Sequence, residues 1–240
     1  MEQGKLILFP VPIGATDISQ SLPAYNLTLL NTCHTFIVEE VRTARRFLRA
    51  AGYEHPIDET HFFVLNEHTA IDEDLNAYLA DIYCGRNVGL LSEAGLPCIA
   101  DPGRRITLLA QQKGIEIHPL VGPSSLLMAL MASGLNGQNF AFVGYLPAER
   151  QQRLQAIRQI ESQARRNNQA QIFIEAPYRN NQMLEAMSET CHADTLITIA
   201  TDLTMPTQTI RTRSAQEWRH ARKEIDLHHR NTVFIVGTVM

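Results

Sequence analysis

The sequence lacks the features that mark secreted, membrane-spanning and metal-binding proteins. Its four cysteines are scattered along 240 residues and form no Cys-x-x-Cys pair, which argues against a disulfide framework or a zinc site. No apolar run approaches the roughly 20 residues of a membrane-spanning helix. No secretory signal precedes the first apolar segment. We therefore expect a cytoplasmic protein with reduced thiols, no bound metal and no membrane contact.

An excess of charge is also lacking, and several common motifs are absent. The formal net charge of −4 argues against binding to nucleic acid by bulk charge, although it leaves room for a local basic patch. The chain contains no Gly-x-Gly-x-x-Gly fingerprint, no Gly-x-x-x-x-Gly-Lys-Ser/Thr loop and no Gly-x-Ser-x-Gly elbow. An ordinary dinucleotide fold, a nucleoside-triphosphatase loop and a hydrolase elbow are therefore disfavoured.

What the sequence does contain is a strand that ends in small residues. The apolar run Val88–Leu91 shows no polar alternation, which predicts a strand buried on both faces of a parallel sheet. Gly95 and Pro97 follow in a loop of small residues, and Asp101-Pro-Gly103 adds a second turn. Glycine lets a ligand approach the backbone at the carboxyl edge of a sheet, where open α/β folds bind their ligands. We expect a ligand loop here rather than an ordinary strand-to-helix turn.

Strands and helices alternate along the chain, which predicts an α/β fold of two domains. The segment Val121–Ser125 carries a proline suited to the first turn of a helix, so we place the boundary there. The N-terminal α/β domain, with a mostly parallel sheet, then covers residues 1–120, and a C-terminal α/β domain covers residues 121–240.

Three finer expectations concern single elements. A helix with acidic residues in its first turn covers Asp72–Cys84. The helix Leu126–Ser133 is apolar nearly all round and should be buried. The segments Gln208–Arg213 and Thr232–Val239 form a terminal antiparallel pair, with Trp218 on a short helix between them.

Short motifs follow several of the predicted strands and helices: Pro12-Ile-Gly14, Ser92-Glu-Ala-Gly-Leu-Pro97, Asp101-Pro-Gly103, Gly122-Pro-Ser124 and Ala132-Ser-Gly134. Their order and spacing resemble those of the tetrapyrrole methylase family, which are S-adenosylmethionine-dependent methyltransferases, over nearly the whole chain. Further motifs look most like the branch that methylates the ribose 2′-hydroxyl of a cytidine in bacterial small-subunit ribosomal RNA. They are Glu39-Glu-Val-Arg42, Glu67-His68, Gly144-Tyr-Leu-Pro147, Glu175-Ala-Pro-Tyr-Arg179 and Asp202-Leu-Thr204.

The resemblance implies two α/β domains, a homodimer, and S-adenosylmethionine as the methyl donor in the cleft between the domains. Gly95 has no Cβ, so backbone can approach the donor. Ser124 and Ser125 begin a helix, which suits a carboxylate. Leu96, Ile99 and Leu203 could enclose the adenine and the carbon arms of the sulfonium. The donor contacts that the resemblance implies are Pro12, Ala94, Gly95, Leu96, Ile99, Ser124, Ser125, Glu175 and Leu203.

A hydroxyl acceptor must also lose its proton during methyl transfer. The candidate bases are Glu40, Glu67 and His68, which follow strands of the first domain. The alternatives are that Glu40 forms a structural ion pair with Arg42 or Arg179, and that His68 is an ordinary polar loop residue.

The helix that follows Glu40 separates apolar from basic residues. At about 100° per residue, one face carries small and apolar side chains. The opposite face carries four arginines, which could bind RNA phosphates or form a solvated face paired with nearby acids. They are Arg42, Arg45, Arg46 and Arg49.

Three functions remain open at this stage. The leading one is a methyltransferase acting on a ribose 2′-hydroxyl of ribosomal RNA. The second is a methyltransferase acting on a small molecule such as a tetrapyrrole, and the third is a non-catalytic protein that binds the donor. The chain departs from the pattern of this branch at two places. It has Glu93 where the branch prefers Asp, and Met205-Pro206 where the branch usually has a charged residue.

Overall fold

The computed structural model describes residues 3–14 and 17–238, and it divides into two compact units, Met1–Ser124 and Ser125–Met240. This division falls within the segment Val121–Ser125 that we took as a boundary. Each unit contains a five-stranded sheet. The predicted α/β fold class is confirmed for both units.

The sheet of unit 1 is parallel throughout the described residues. Its strands are β1 (Leu6–Phe9), β2 (Cys33–Val38), β3 (His61–Val64), β4 (Asn87–Leu91) and β5 (Ile117–Pro119). They are ordered β3-β2-β4-β1-β5. The central strand β4 contains the apolar run Val88–Leu91, which is buried as predicted. Gly89 is required in it, because a Cβ there would lie 2.5 Å from Cδ1 of Phe36.

Helices cover both faces of this sheet. They are α1 (Ala24–Leu30), α2 (Val41–Ala50), α3 (Ala80–Tyr83) and α4 (Arg104–Gln112). One core cluster joins α1 and α2 to Phe9 and Phe36. Another joins α3 and α4 to Val88 and Leu90. Therefore α1 and α2 lie on one face, and α3 and α4 lie on the other.

The helix predicted over Asp72–Cys84 is wrong in its first part. Asp74 caps a 3-10 turn over Leu75–Leu79, and α3 begins only after that turn. Within the turn, the hydroxyl of Tyr78 donates to the carbonyl of Val64 at 2.9 Å. Because the acidic cap and this buried anchor both suit the tighter turn, the segment does not continue as one α-helix.

The sheet of unit 2 is mixed. Its strands are β6 (Phe140–Tyr145), β7 (Ala170–Ile174), β8 (Leu196–Thr201), β9 (Thr209–Ser214) and β10 (Thr232–Gly237). They are ordered β6-β7-β10-β8-β9, with β6 and β7 parallel and the other neighbours antiparallel. The predicted pairing of the last two strands is wrong, since β8 lies between them and pairs with both. Alternation of residue types identifies the faces of a strand but not its neighbours.

The helices of unit 2 are α5 (Ser125–Ser133), α6 (Arg150–Asn167), α7 (Asn180–Thr190) and α8 (Ala215–Ala221). Trp218 lies on α8 as predicted, and its Nε1 donates to the carbonyl of Ile197 at 2.8 Å. The expectation that α5 is buried all round is wrong, because Met131 is 82% exposed. In unit 2, α5 packs on the sheet through the side that carries Ala129 and Leu130.

Candidate active site

The connections after β1 and β4 leave opposite faces of the unit 1 sheet. β1 leads into α1 on one face, whereas β4 leads into α4 on the other. Neighbouring strands with diverging connections form a crevice at the carboxyl edge, which is the usual ligand site of open α/β sheets. Here Val11 and Gly95 bridge the two loops, with N–O distances of 3.0 and 3.1 Å. The bridge holds both loops at the edge where the sequence predicts a ligand.

The backbone of the loop after β4 is unusually constrained. Gly95 has a φ of 74°, and a Cβ on it would lie 3.3 Å from the carbonyl oxygen of Pro123. Cys98 and Ala100 have φ angles of 69° and 58°, which cost roughly 1–2 kcal/mol each in residues with a side chain. The hydroxyl of Ser92 donates to the carbonyl of Gly95 at 2.8 Å. Strain held in this way is typical of preorganised ligand sites.

The donor residues predicted in unit 1 lie on the loops at this edge. Pro12 follows the bridge, and Ala94–Leu96 form the tip of the loop after β4. Ile99 is 48% exposed, so its apolar side chain is available to a ligand, whereas Gly95 is buried. Ser124 ends the segment after β5. These positions combine the polar backbone of two loops with the exposed apolar side chain of Ile99, as a ligand with polar and apolar parts requires.

The donor residues predicted in unit 2 begin a helix or follow strands. Ser125 begins α5, Leu203 follows β8, and Glu175 follows β7 with no exposed side-chain surface. Oε1 of Glu175 accepts from Nε of Arg179 at 2.9 Å and from the backbone N of Ala176 at 2.7 Å. Its Oε2 is buried and accepts no hydrogen bond from the described residues. Such an oxygen is costly unless a donor group, such as a ligand hydroxyl, satisfies it.

The loop after β8 contains a second unsatisfied polar atom. Asp202 and Thr204 have φ angles of 49° and 69°. Asp202 is held by Nε of Arg230 at 2.8 Å and by the hydroxyl of Thr207 at 2.9 Å. The hydroxyl of Thr204 is buried without a hydrogen-bond partner among the described residues. It flanks Leu203, so the loops after β7 and β8 each carry a predicted donor residue and a buried polar atom without a hydrogen-bond partner among the described residues.

The three predicted bases do not form one group. Glu40 caps α2, where its Oε1 accepts from the backbone N of Arg42 at 3.0 Å. Glu67 and His68 lie on the loop after β3, are 87% and 84% exposed, and contact each other at 3.6 Å. Helix capping gives Glu40 a structural role that differs from the ion pair considered above. Catalytic roles for all three residues stay predictions.

Sequence reasoning missed a cluster of three carboxylates at the same edge. Oε1 of Glu39 lies 3.4 Å from the backbone N of Glu93, which donates to it. Oδ1 of Asp101 accepts from the backbone N of Gly103 at 2.6 Å. Burial, followed by the charge of Asp101, raises the pKa of Glu39 to about 7, and burial also raises the pKa of Asp101. A carboxyl group that titrates near neutral pH can act as a general base.

A signal for Glu39 was present in the sequence once the strand faces are known. Val38 packs on the face that carries α1 and α2. Extending the alternation of β2 by one residue, into the bend at Glu39, places the next side chain toward the other face. Asp101 precedes α4 on that other face.

Two absences concern the described residues only. No group of three or more His, Cys, Asp or Glu side chains there could hold a metal ion. No helix in residues 3–14 or 17–238 has the length and apolar character needed to cross a membrane.

Comparison with known proteins identifies the family. Residues 11–218 match the family model described as Tetrapyrrole (Corrin/Porphyrin) Methylases. The chain belongs to this family. The resemblance inferred from the motifs is therefore confirmed, and the chain is a methyltransferase.

Relatives and a solved structure agree with this assignment. The chain is 31% identical to "Ribosomal RNA small subunit methyltransferase I" of Escherichia coli O157:H7 over 209 residues, 87% of this chain and 68% of that protein. It is 33% identical to the protein of the same name from Mesorhizobium japonicum over 211 residues, 86% of this chain and 66% of that protein. The crystal structure of the methyltransferase CobJ matches with a TM-score of 0.64 and 19% identity, over 98% of this chain and 95% of that chain. The CobJ match supports the fold.

Proposed function

We propose that this chain transfers a methyl group from S-adenosylmethionine to a ribose 2′-hydroxyl of ribosomal RNA. The observation that carries the proposal is the similarity to small-subunit ribosomal RNA methyltransferases, which spans 85–88% of the chain in three relatives. The motifs that follow β2, β3, β7 and β8 add support, because they resemble the branch that acts on a ribose hydroxyl.

The residues present fit the donor. S-adenosylmethionine, when bound, supplies an electrophilic methyl group. Gly95 offers backbone without a Cβ, and Ile99 offers an exposed apolar side chain. The unsatisfied Oε2 of Glu175 suits a ribose hydroxyl or an amino group. We assign donor binding to residues of both units: Pro12, Ala94, Gly95, Leu96, Ile99, Ser124, Ser125, Glu175 and Leu203.

Helix α2 supplies a basic surface for RNA. Arg42, Arg46 and Arg49 are exposed, as predicted for the basic face. Arg45 differs, because its guanidinium lies 5.7 Å from the centre of the Phe62 ring and 3.8 Å from the carboxylate of Asp58. We therefore assign phosphate contacts to the three exposed arginines and give Arg45 a structural role.

The cluster of Glu39, Glu93 and Asp101 supports a route for the proton. With the donor bound, its methyl group would pass from sulfur to the 2′ oxygen, and the hydroxyl proton would go to a base held by this chain. We favour Glu39 as this base, because its pKa of about 7 lets it accept a proton at physiological pH. Glu40, Glu67 and His68 remain the alternatives.

Methyl transfer to RNA tests the proposal directly. The purified protein is incubated with methyl-labelled S-adenosylmethionine and either small ribosomal subunits or total RNA from a strain that lacks the protein. We expect label in one nucleotide, recovered after digestion as a 2′-O-methyl nucleoside. Label in the base would contradict the assigned atom. Label only in an added tetrapyrrole would favour the small-molecule acceptor, and donor binding without transfer to either would favour the non-catalytic protein.

We also propose a cytoplasmic homodimer. Sedimentation of the purified protein tests the dimer, and a sedimenting mass near 27.0 kDa, the mass of one chain, would contradict it. Cell fractionation tests the compartment.

A further inference from the structure

A small cavity lies beside the proposed site, between α2 and the carboxyl ends of β1 and β4. Its volume is about 160 Å³. All of its lining residues belong to unit 1, and Pro12 is the one among them assigned to the donor. They are Val11, Pro12, Thr43, Ala44, Phe47, Leu91, Ser92 and Glu93.

The walls are apolar and the rim is polar. Val11 and Leu91 are buried, and Phe47 adds a partly exposed ring. On the rim, the hydroxyl of Thr43 donates to Oε1 of Glu93 at 2.6 Å. Oε2 of Glu93 accepts no hydrogen bond from any residue that the structure describes, so it is open to a donor from a ligand.

The size of the cavity suits a single six-membered ring. A cavity of about 150 Å³ lined by apolar side chains accommodates benzene. The volume of about 160 Å³ is therefore enough for a pyrimidine, whereas the fused rings of a purine need more room. Apolar walls suit the two faces of a base, and the polar rim suits its hydrogen-bonding edge.

The position of the cavity suits the base of an RNA nucleotide. Thr43, Ala44 and Phe47 belong to α2, whose exposed arginines are assigned to phosphates. The backbone N of Glu93 donates to Glu39. The residue whose carboxylate lies on the rim is therefore hydrogen-bonded to the proposed proton acceptor. Enzymes that modify a base draw it out of its stack into a fitted pocket, and the same movement would bring the attached ribose hydroxyl to the edge of the sheet.

We propose that this cavity receives the base of the methylated nucleotide and that Glu93 and Thr43 select cytosine over uracil. This inference rests on the proposed RNA substrate. A carboxylate accepts a hydrogen bond from the N4 amino group of cytosine. The hydroxyl of Thr43 can turn from Glu93 to donate to N3 of cytosine. Uracil presents its O4 acceptor to the carboxylate instead, and two acceptors repel each other.

Binding of single nucleotides tests the selection without requiring methyl transfer. Isotope-labelled protein is titrated with cytidine 5′-monophosphate and with uridine 5′-monophosphate, and amide shifts are followed by NMR. We expect cytidine monophosphate to shift the amides of Thr43, Ala44 and Phe47, and to bind about tenfold more tightly than uridine monophosphate. The phosphate is common to both nucleotides, so its contribution cancels in the ratio.

Substitutions then assign the selection to residues. Glu93→Gln should bring the affinity ratio near one, because an amide can donate to uracil as well as accept from cytosine. Thr43→Val keeps the shape and should also lower the ratio. Glu54→Gln changes an exposed carboxylate of the same unit and should leave the ratio as in the wild type. Equal affinities in the wild type, shifts outside the cavity, or an unchanged ratio in Glu93→Gln would overturn the proposal.

The RNA assay separates this inference from the proposed function. If cytidine monophosphate is selected but ribosomal RNA is not methylated, the function fails and the base pocket stands. If ribosomal RNA is methylated at a uridine or a purine nucleotide, the function stands and the base pocket is overturned.

Discussion

At the scale of single residues, Glu39 carries the clearest electrostatic signature. Asp101 and the backbone of Glu93 face its carboxyl group, and burial together with the charge of Asp101 raises its pKa to about 7. The folded protein therefore retains a proton on Glu39 at pH values where the unfolded chain, with an ordinary pKa near 4.5, has released it. Between these two values the stability contributed by this group falls as the pH rises.

Glu39→Gln should remove this loss of folding stability with rising pH. Glutamine resembles the protonated carboxyl group, so wild type and variant should have similar unfolding free energies below pH 4.5. At pH 8 the variant should be more stable, by about 1 kcal/mol after allowance for solvent screening of a half-buried group. Urea unfolding at both pH values measures the difference. Glu54→Gln is the control, and an equal difference at both pH values would disprove the assigned cause.

The same substitution should lower turnover more than donor affinity. If Glu39 accepts the proton, kcat should fall by about a hundredfold or more while the Kd for S-adenosylhomocysteine stays within about twofold. Glu40→Gln in the same assay compares the two neighbouring carboxylates. A larger loss of kcat in Glu40→Gln would instead identify Glu40 as the proton acceptor.

Gly95→Val should abolish donor binding, and Gly114→Val provides its matched control. Both glycines have positive φ angles, 74° and 66°, so both variants should lose about 1–2 kcal/mol of stability from the backbone, and Gly95→Val should lose more because its Cβ lies 3.3 Å from the carbonyl oxygen of Pro123. Around Gly114 nothing lies within 4 Å of a Cβ, whereas Gly95 lies in the proposed site. Calorimetric titration with S-adenosylhomocysteine, below the melting temperature, should show loss of binding in Gly95→Val alone. Equal affinity in both variants would remove this loop from the donor site.

At the scale of elements, α2 should bind RNA through its exposed arginines. Replacing Arg46 and Arg49 with Gln should flatten the log-log salt dependence of RNA binding by about one to one and a half units, at roughly 0.7 per phosphate for single strands. Arg45→Gln is the control, because Arg45 already packs on Phe62 and faces Asp58. It should cost stability and leave the slope unchanged. An identical slope in the wild type and the double variant would exclude this face.

Elements could be predicted from the sequence where their own residues determine them. The apolar strand β4 and the two-faced helix α2 are of this kind, and both are present as expected. The partner of β10 could not be predicted, because pairing depends on segments distant in the chain. The 3-10 turn at Leu75–Leu79 depends on contacts such as that of Tyr78 with Val64, which no local pattern reveals.

Some features of the candidate site could likewise be predicted from the sequence, and others could not. Loops after strands are visible in the sequence, so the bridge between Val11 and Gly95 lies where a ligand edge was expected. Glu39 was not among the candidate bases chosen from the sequence, because the burial of its carboxyl group beside Asp101 depends on how the sheet folds. The cavity between α2 and the strand ends likewise requires the packing of separate segments.

At the scale of the whole molecule, the proposed donor residues belong to both units. S-adenosylhomocysteine at 100 times its Kd should stabilise the protein by about 2.7 kcal/mol. Glu175→Gln, in unit 2, should weaken donor binding measurably, because it alters the unsatisfied oxygen. Glu161→Gln alters another buried carboxylate of unit 2, one held by Thr195, and should lower stability without changing affinity. Thermal unfolding of each variant, with and without S-adenosylhomocysteine, measures its stability and the stabilisation that the ligand provides. Unchanged affinity in Glu175→Gln would limit the donor site to unit 1.

The order of strands in the two sheets has a consequence for synthesis on the ribosome. The sheet of unit 1 needs no strand beyond Pro119, so it can close while later residues are still being made. In unit 2, β10 is the last strand among the described residues but lies in the middle of its sheet, between β7 and β8. Until residues 232–237 leave the exit tunnel, β7 and β8 each expose an unpaired edge. Nascent unit 2 should therefore be the part of the chain that depends on chaperones.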